Sequence, residues 1–145
     1  MKEINSYLIF NGNCRDAMKF YEKCLGAELH MMTFGEGPCP DGKSGPPPET
    51  KDLIMHARLS KGSLVLMASD NMPGMDFHQG NNCSLALGCE SIAEIETLFA
   101  ALTEKSTIKM PLQETFWATR FAMFIDQFGV HWMLNLDKPE ASQAA

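Results

Sequence analysis

The chain has 145 residues, 45% of them hydrophobic and 21% charged, which is one domain's worth of sequence and excludes a large multidomain machine or a disordered chain. Twelve Lys+Arg against eighteen Asp+Glu give a net charge of -6 without a basic cluster that could track a phosphate backbone, so no nucleic-acid partner is expected. No apolar run approaches the roughly 18 to 20 residues of a membrane span, and the start MKEINSYLIFNGN lacks an export pattern, so a cytoplasmic protein without a membrane partner is expected.

Ser6 to Phe10 is a short β-branched and aromatic run closed by Asn11-Gly12-Asn13, and it reads as a strand. A helix follows, with Asn13 as N-cap, Ala17, Met18, Tyr21, Cys24 and Leu25 on its apolar stripe and Gly26 as its stop. Ala27 to Phe34 reads as a second strand. Residues 35–52 hold four Gly and five Pro, so an exposed, mobile loop with neither helix nor strand is expected there. Leu53–Ser60 and Ser63–Ser69 flank Lys61-Gly62 as a hairpin, and a polar loop beginning at Asp70 ends the first half.

The second half repeats this plan. Cys83 to Cys89 reads as a strand, Ser91 caps a helix running to Leu102 with Glu94 completing a capping box, and Thr107 to Gln113 reads as a strand. Ala118–Ile125 and Val130–Leu136 form a hairpin around Asp126-Gln127-Phe128-Gly129. Ser6 matches Ser84 and Tyr21 matches Phe99 at a spacing of 78, while Gly62 matches Gly129 at 67 because the second half lacks the Pro-rich insert. An internally duplicated β-α-β-β-β unit, with modules at 1–75 and 81–137 of a single 1–145 domain, is the simplest account. Cys14, Cys24, Cys39, Cys83 and Cys89 are odd in number and contain no C-x-x-C pair, so they indicate reduced thiols, buried in all cases but Cys39, and not a disulfide or zinc framework.

Alternation along each strand separates a helix-facing side from an open side. In the hairpin strands of the first half, Leu53, Met55, Ala57 and Leu59 take the core side, leaving Ile54, His56 and Arg58 open. In the second half Ser84, Ala86 and Gly88 are open, as are Arg120, Ala122 and Phe124, while Phe121, Met123 and Ile125 pack. In the last strand Val130, Trp132, Leu134 and Leu136 pack, leaving His131, Met133 and Asn135 open. Small residues leave room, and convergent arginine and histidine around that room suit an anionic or carbonyl-bearing small molecule. His30, beside a methionine pair, and His78, in a polar loop, carry no functional expectation.

The segments GNCRDAMKFY, Ile54 with His56-Ala57, the block Met110–Gln113, Thr115–Trp117 and Arg120-Phe121, and Asp126 with Phe128–Val130, Trp132-Met133 and Asn135 resemble the vicinal oxygen chelate superfamily, and within it the PhnB-like branch. That superfamily includes glyoxalase I, extradiol dioxygenases and bleomycin- and fosfomycin-resistance proteins. The resemblance covers nearly the whole chain. It implies an α+β fold in which paired β-α-β-β-β modules form a cup-shaped mixed sheet with helices on its outer face, usually in a homodimer. It also implies metal ligands on the first, fourth, fifth and eighth strands, where this chain has Ser6, Leu66, Ser84 and Met133. None of these is a ligand set for a hard cation, so no cofactor is expected, and a divalent metal could only use a non-standard site such as His56 with His131.

The expected function is therefore metal-free binding of a small anionic or carbonyl-bearing molecule by Ser6, His56, Ser84, Trp117, Arg120, Phe124, His131 and Asn135. Trp117 and Phe124 would give apolar contact, and His56 and Arg120 would fix the polar end. The alternative is a lyase, isomerase or dioxygenase in which His56 is the catalytic base beside an arginine that stabilises an enolate-like oxygen. A third option is an interaction module filled by its own 35–52 loop.

Overall fold

The computed structural model describes residues 1–37 and 47–140, which divide into two compact units, Met1–His78 and Gln79–Ala145. Each unit is a β-α-β-β-β module. The first runs β1 (Ser6–Phe10), α1 (Cys14–Leu25), β2 (Glu28–Thr33), β3 (Ile54–Lys61) and β4 (Leu64–Asp70). The second runs β5 (Leu85–Cys89), α2 (Ile92–Leu102), β6 (Thr107–Gln113), β7 (Ala118–Ile125) and β8 (His131–Asp137). Their sheets have the equivalent orders β1-β4-β3-β2 and β5-β8-β7-β6, with β1 parallel to β4 and β5 parallel to β8. The α+β duplication expected from the sequence is present.

In the first module α1 buries Cys14, Ala17, Met18, Tyr21 and Leu25 against one side of the sheet, whose contributions are Phe10, Ile54, Ala57, Leu59, Leu66 and Ala68. Gly26 ends the helix in the left-handed region at φ 60°, where a side chain would be strained, and the N–H of Ala27 returns to the Glu22 carbonyl. The helix start departs from expectation, because the Asn13 side chain makes no capping bond. The buried Asp70 carboxylate does that work from the end of β4: one oxygen accepts from the N–H groups of Gly12 and Cys14, each at 3.0 Å, and the other from Ile54 at 2.8 Å. Asp70 is thus the last residue of a strand and not the start of a polar loop. In the second module the helix is capped locally, with Ser91 Oγ accepting from the N–H of Glu94 at 3.1 Å while the Glu94 carboxylate accepts from the N–H of Glu90.

Part of the Pro/Gly-rich stretch has regular structure, contrary to the expectation of neither helix nor strand over 35–52. Pro48–Thr50 form a 3-10 turn, where proline lacks only an N–H that a first turn leaves unpaired anyway. Thr50 is buried, with its Oγ1 donating to the Pro47 carbonyl at 2.9 Å, and the N–H of Gly35 donates to the Lys51 carbonyl. The remainder of the expected mobile loop, residues 38–46 with Cys39, lies outside the described residues. Cys14 and Cys89 are buried thiols, whereas Cys83 is exposed because it precedes β5. No described helix is long and apolar enough to cross a membrane.

Candidate functional site

Directly paired residues on neighbouring strands share a face, so the register fixes which side chains stand on the open side of each sheet. In the second module Phe124 pairs with Trp132, and Trp132 with Leu85. Phe124 is fully buried and meets Phe99 of α2 edge-on at 5.9 Å, so this row faces the helix. Buried Ala122 and Leu134 form the next row with half-buried Leu87. The phase expected for β7 is therefore inverted. Phe124 belongs to the core, Ala122 with it, and Arg120 shares their side, its Nη1 donating to the Thr119 carbonyl at 2.8 Å. The inversion has a physical origin: Phe121, Met123 and Ile125 are as apolar as Ala122 and Phe124, so hydropathy along β7 alone does not distinguish the sides, whereas pairing with Trp132 and Leu134 does.

The open side of the second module consequently has three levels along β7 and β8. Nearest the Asp126–Gly129 turn stand His131 and its partner Ile125, beside Lys109. A pocket of about 620 Å³ opens here, lined by Gln79, Gly80, Asn81, Lys109, Ile125, Gly129 and His131. Gln79 donates from Nε2 to the Phe128 carbonyl at 2.9 Å, and its amide lies where a Cβ on Gly129 would be, within 2.9 Å. Gly129 at φ 82° thus satisfies both the turn and the approach of the pocket wall. Lys109 forms no ion pair among the described residues. The turn is held by Asp126, whose buried carboxylate accepts from the N–H groups of Phe128 and Val130 and from Trp132 Nε1 at 2.8 Å.

The middle level is a row of half-buried methionines, Met110–Met123–Met133, continued on β5 by Ala86. At the far level Phe121 pairs with Asn135, and Asn135 with Gly88. Trp117, in the β6–β7 connection, covers Phe121 edge-on at 5.2 Å and remains 42% exposed, leaving a ring available to a ligand. Asn135 Nδ2 donates to Asp137 at 2.8 Å, while its Oδ1 is buried without a partner among the described residues. Of the residues expected at the site, the second module brings His131, Asn135 and Trp117 to this side. Ser84 is exposed and precedes β5, whereas Arg120 and Phe124 are elsewhere. Lys109, Gln79 and the methionine row escaped the sequence reading, because Lys109 sits at a β-bulge on the edge strand β6, two residues before Pro111, where alternation breaks down.

In the first module His56 and Arg58 stand on the open side as expected. Tyr7 Oη lies 3.4 Å from His56 Nδ1, with the rings 5.9 Å apart. Arg58 pairs with His30 and with Met67, and His30 joins Glu28 at 2.9 Å, so His30 shares this open side. Two expectations are corrected here. Ile54 is buried, because a bulge where β2 pairs with β3 displaces Met55 from the alternation. Ser6 pairs with Leu66, in the row of buried Leu59, so it belongs to the helix side and not with His56.

These positions also decide the fit of a metal. Ser6 and Leu66 share the helix side of one module, Ser84 and Met133 offer a hydroxyl and a thioether in the other, and no three His, Cys, Asp or Glu among the described residues come together. That donor set does not fit a hard divalent cation.

A β-α-β-β-β unit repeated with one helix-covered and one open side per sheet defines a duplicated α+β class, and comparison with known proteins places it. The model of the Glyoxalase/Bleomycin resistance protein/Dioxygenase superfamily matches residues 3–134, and the chain belongs to that family. It is 36% identical to Protein YjdN of Escherichia coli (strain K12) over 97% of this chain and 99% of that one. The crystal structure of protein PA1353 from Pseudomonas aeruginosa is 47% identical, with a TM-score of 0.81 over 96% of this chain and 100% of that one. A PhnB protein from Bacillus cereus is 28% identical, with a TM-score of 0.72 over 93% and 99% of the two chains.

Proposed function

We propose that the open side of the second module binds a small molecule bearing an anionic or carbonyl group, without a resident metal. The observation that carries this reading is the pocket in which Lys109, unpaired among the described residues, and His131 meet the side chains of Gln79 and Asn81. An ammonium, an imidazole and two amides supply donors that match an oxyanion. Titration with ethylphosphonate and with 2-oxobutanoate, followed by amide NMR, tests it: shifts at Lys109, Gly129 and His131 that vanish in Lys109→Gln are expected. No shift with either probe overturns the assignment, and native mass spectrometry finding one divalent ion per chain overturns the metal-free part.

A second reading, proton abstraction by His56, draws on Tyr7, whose hydroxyl is close enough to Nδ1 to hold one tautomer and leave Nε2 free as a base. With Nδ1–H donating to the Tyr7 oxygen, Nε2 carries the lone pair, and exchange of the 2-oxobutanoate α-protons in D2O that His56→Ala abolishes is predicted. Exchange at the same rate in that variant removes His56 from any such role.

A further inference from the structure

We infer that the ligand of the second module is an elongated amphiphile, with an anionic head at Lys109 and His131, an apolar body on the methionine row and a hydrogen-bond donor at its far end. This rests on the reading of the Lys109 pocket given above and extends it along β8. Three observations carry it. First, Met110, Met123 and Met133 are direct cross-strand partners, so three thioethers form one continuous band next to the pocket. Unbranched, polarisable methionines adapt to an apolar body without fixing its shape.

Second, the band leads to an acceptor in need of a donor. Asn135 Oδ1 is buried without a partner among the described residues, and Nδ2, donating to Asp137, holds the amide in that orientation. An unpaired buried acceptor is unfavourable, and a ligand hydroxyl or amine would relieve it. Third, there is room for that group. Gly88 is the neighbour of Asn135 on β5, and a Cβ there would meet nothing among the described residues within 4 Å. Its φ lies outside the region that favours glycine, so the backbone does not explain the missing side chain.

Length follows from strand geometry. His131 and Asn135 are four residues apart on β8, about 14 Å at strand rise. A chain of about eight carbons ending in a hydroxyl, with a hydrogen bond of about 2.8 Å at each end, covers that distance.

Calorimetric titration with butanoate, octanoate, 8-hydroxyoctanoate and 1,8-octanediol tests the inference on the unaltered protein, with ethylphosphonate as a head-group probe. Octanoate is expected to bind at least tenfold more tightly than butanoate, 8-hydroxyoctanoate about tenfold more tightly than octanoate, and the diol at least tenfold more weakly than 8-hydroxyoctanoate. Gly88→Val, which suits a strand and enters open space, is expected to remove the advantage of the hydroxyl while ethylphosphonate binds as before. Equal affinities for butanoate and octanoate, or for octanoate and 8-hydroxyoctanoate, overturn the amphiphile while leaving the anion pocket standing. Failure of every anion to bind overturns the pocket as well. Should Gly88→Val not fold, the ranking of the four probes on the unaltered protein still decides.

Discussion

Replacing Asp70 probes the least expected element of the fold, a carboxylate that joins the start of α1 to β3 from the end of β4. In Asp70→Ala, the N–H groups of Cys14 and Ile54 lose their partner in a buried setting, while that of Gly12 is partly exposed and can turn to water. Two stranded buried donors cost about 1–3 kcal/mol each, and the third bond, to a charged acceptor, contributes roughly 1.5 kcal/mol, giving a loss of about 3.5–7.5 kcal/mol. Against a typical domain stability of about 5–15 kcal/mol, that variant stands near its unfolding threshold. Asp70→Asn separates the contributions. Its one oxygen can still accept from Gly12 and Cys14, but its amide then confronts the N–H of Ile54, donor against donor, and a loss of about 2–3 kcal/mol is expected. Urea unfolding followed by circular dichroism gives both values, and amide exchange at Ile54 locates the defect. A loss below about 1 kcal/mol for Asp70→Ala, or Asp70→Asn equal to the unaltered protein, refutes the reasoning.

The buried thiols make stability sensitive to alkali. Burial, reinforced by the Asp70 carboxylate and partly offset by Arg15, pushes Cys14 up to about 12, and burial together with Glu94 pushes Cys89 up to about 11, each from 9.0. Above pH 9 the unfolded chain releases these protons while the folded chain keeps them, so stability is full below pH 9 and falls as pH rises towards 11, by up to about 1.4 kcal/mol per pH unit for each thiol. Urea midpoints at pH 8 and pH 10.5 should show this loss, reduced in Cys14→Ala; a loss unchanged in that variant would assign the effect elsewhere. The face assignment of β7 is checked by alanine substitution. Phe124→Ala should cost about 3–5 kcal/mol and the half-exposed Met123→Ala about 1–2 kcal/mol, and the reverse order would restore the opposite phase.

What the sequence made legible was whatever depended on local chemistry. Gly26, Gly62 and Gly129 all adopt positive φ, Ser91 caps α2, and the two hairpins lie where the turn residues indicated. The readings that failed required information from a partner strand. Hydropathy along β7 is nearly symmetric, so Phe124 and Arg120 could be placed only through the pairing of β7 with β8. The five-residue connection Asp126–Val130, which sets Ile125 opposite His131, contains that information, and counting outward from it leads to Phe124 opposite Trp132. Ile54 was misplaced by a bulge, which hydropathy does not announce. Asp70 reads as polar, and its burial becomes evident only when three N–H groups from two distant segments converge on it.

The misplacement of Ser6 has a different cause, and it bears on how the two modules divide their chemistry. A spacing of 78 aligns the helix starts, Cys14 with Ile92, but the strand pairs Ser6–Leu66 and Leu85–Trp132 are 79 and 66 apart. One extra residue between strand and helix in the first module therefore shifts β1 relative to β5, and the positions that truly correspond are Tyr7–Met67 and Ala86–Met133. On the open sides, then, an aromatic hydroxyl in contact with His56 occupies the place where the second module has an alanine beside the methionine row. The duplication preserved the helix-facing rows, because both modules must cover a helix with close-packed apolar side chains. The open rows carry no such requirement. They diverged into a polar His56–Tyr7–Arg58 surface in one module and an apolar band ending at Lys109 and Asn135 in the other.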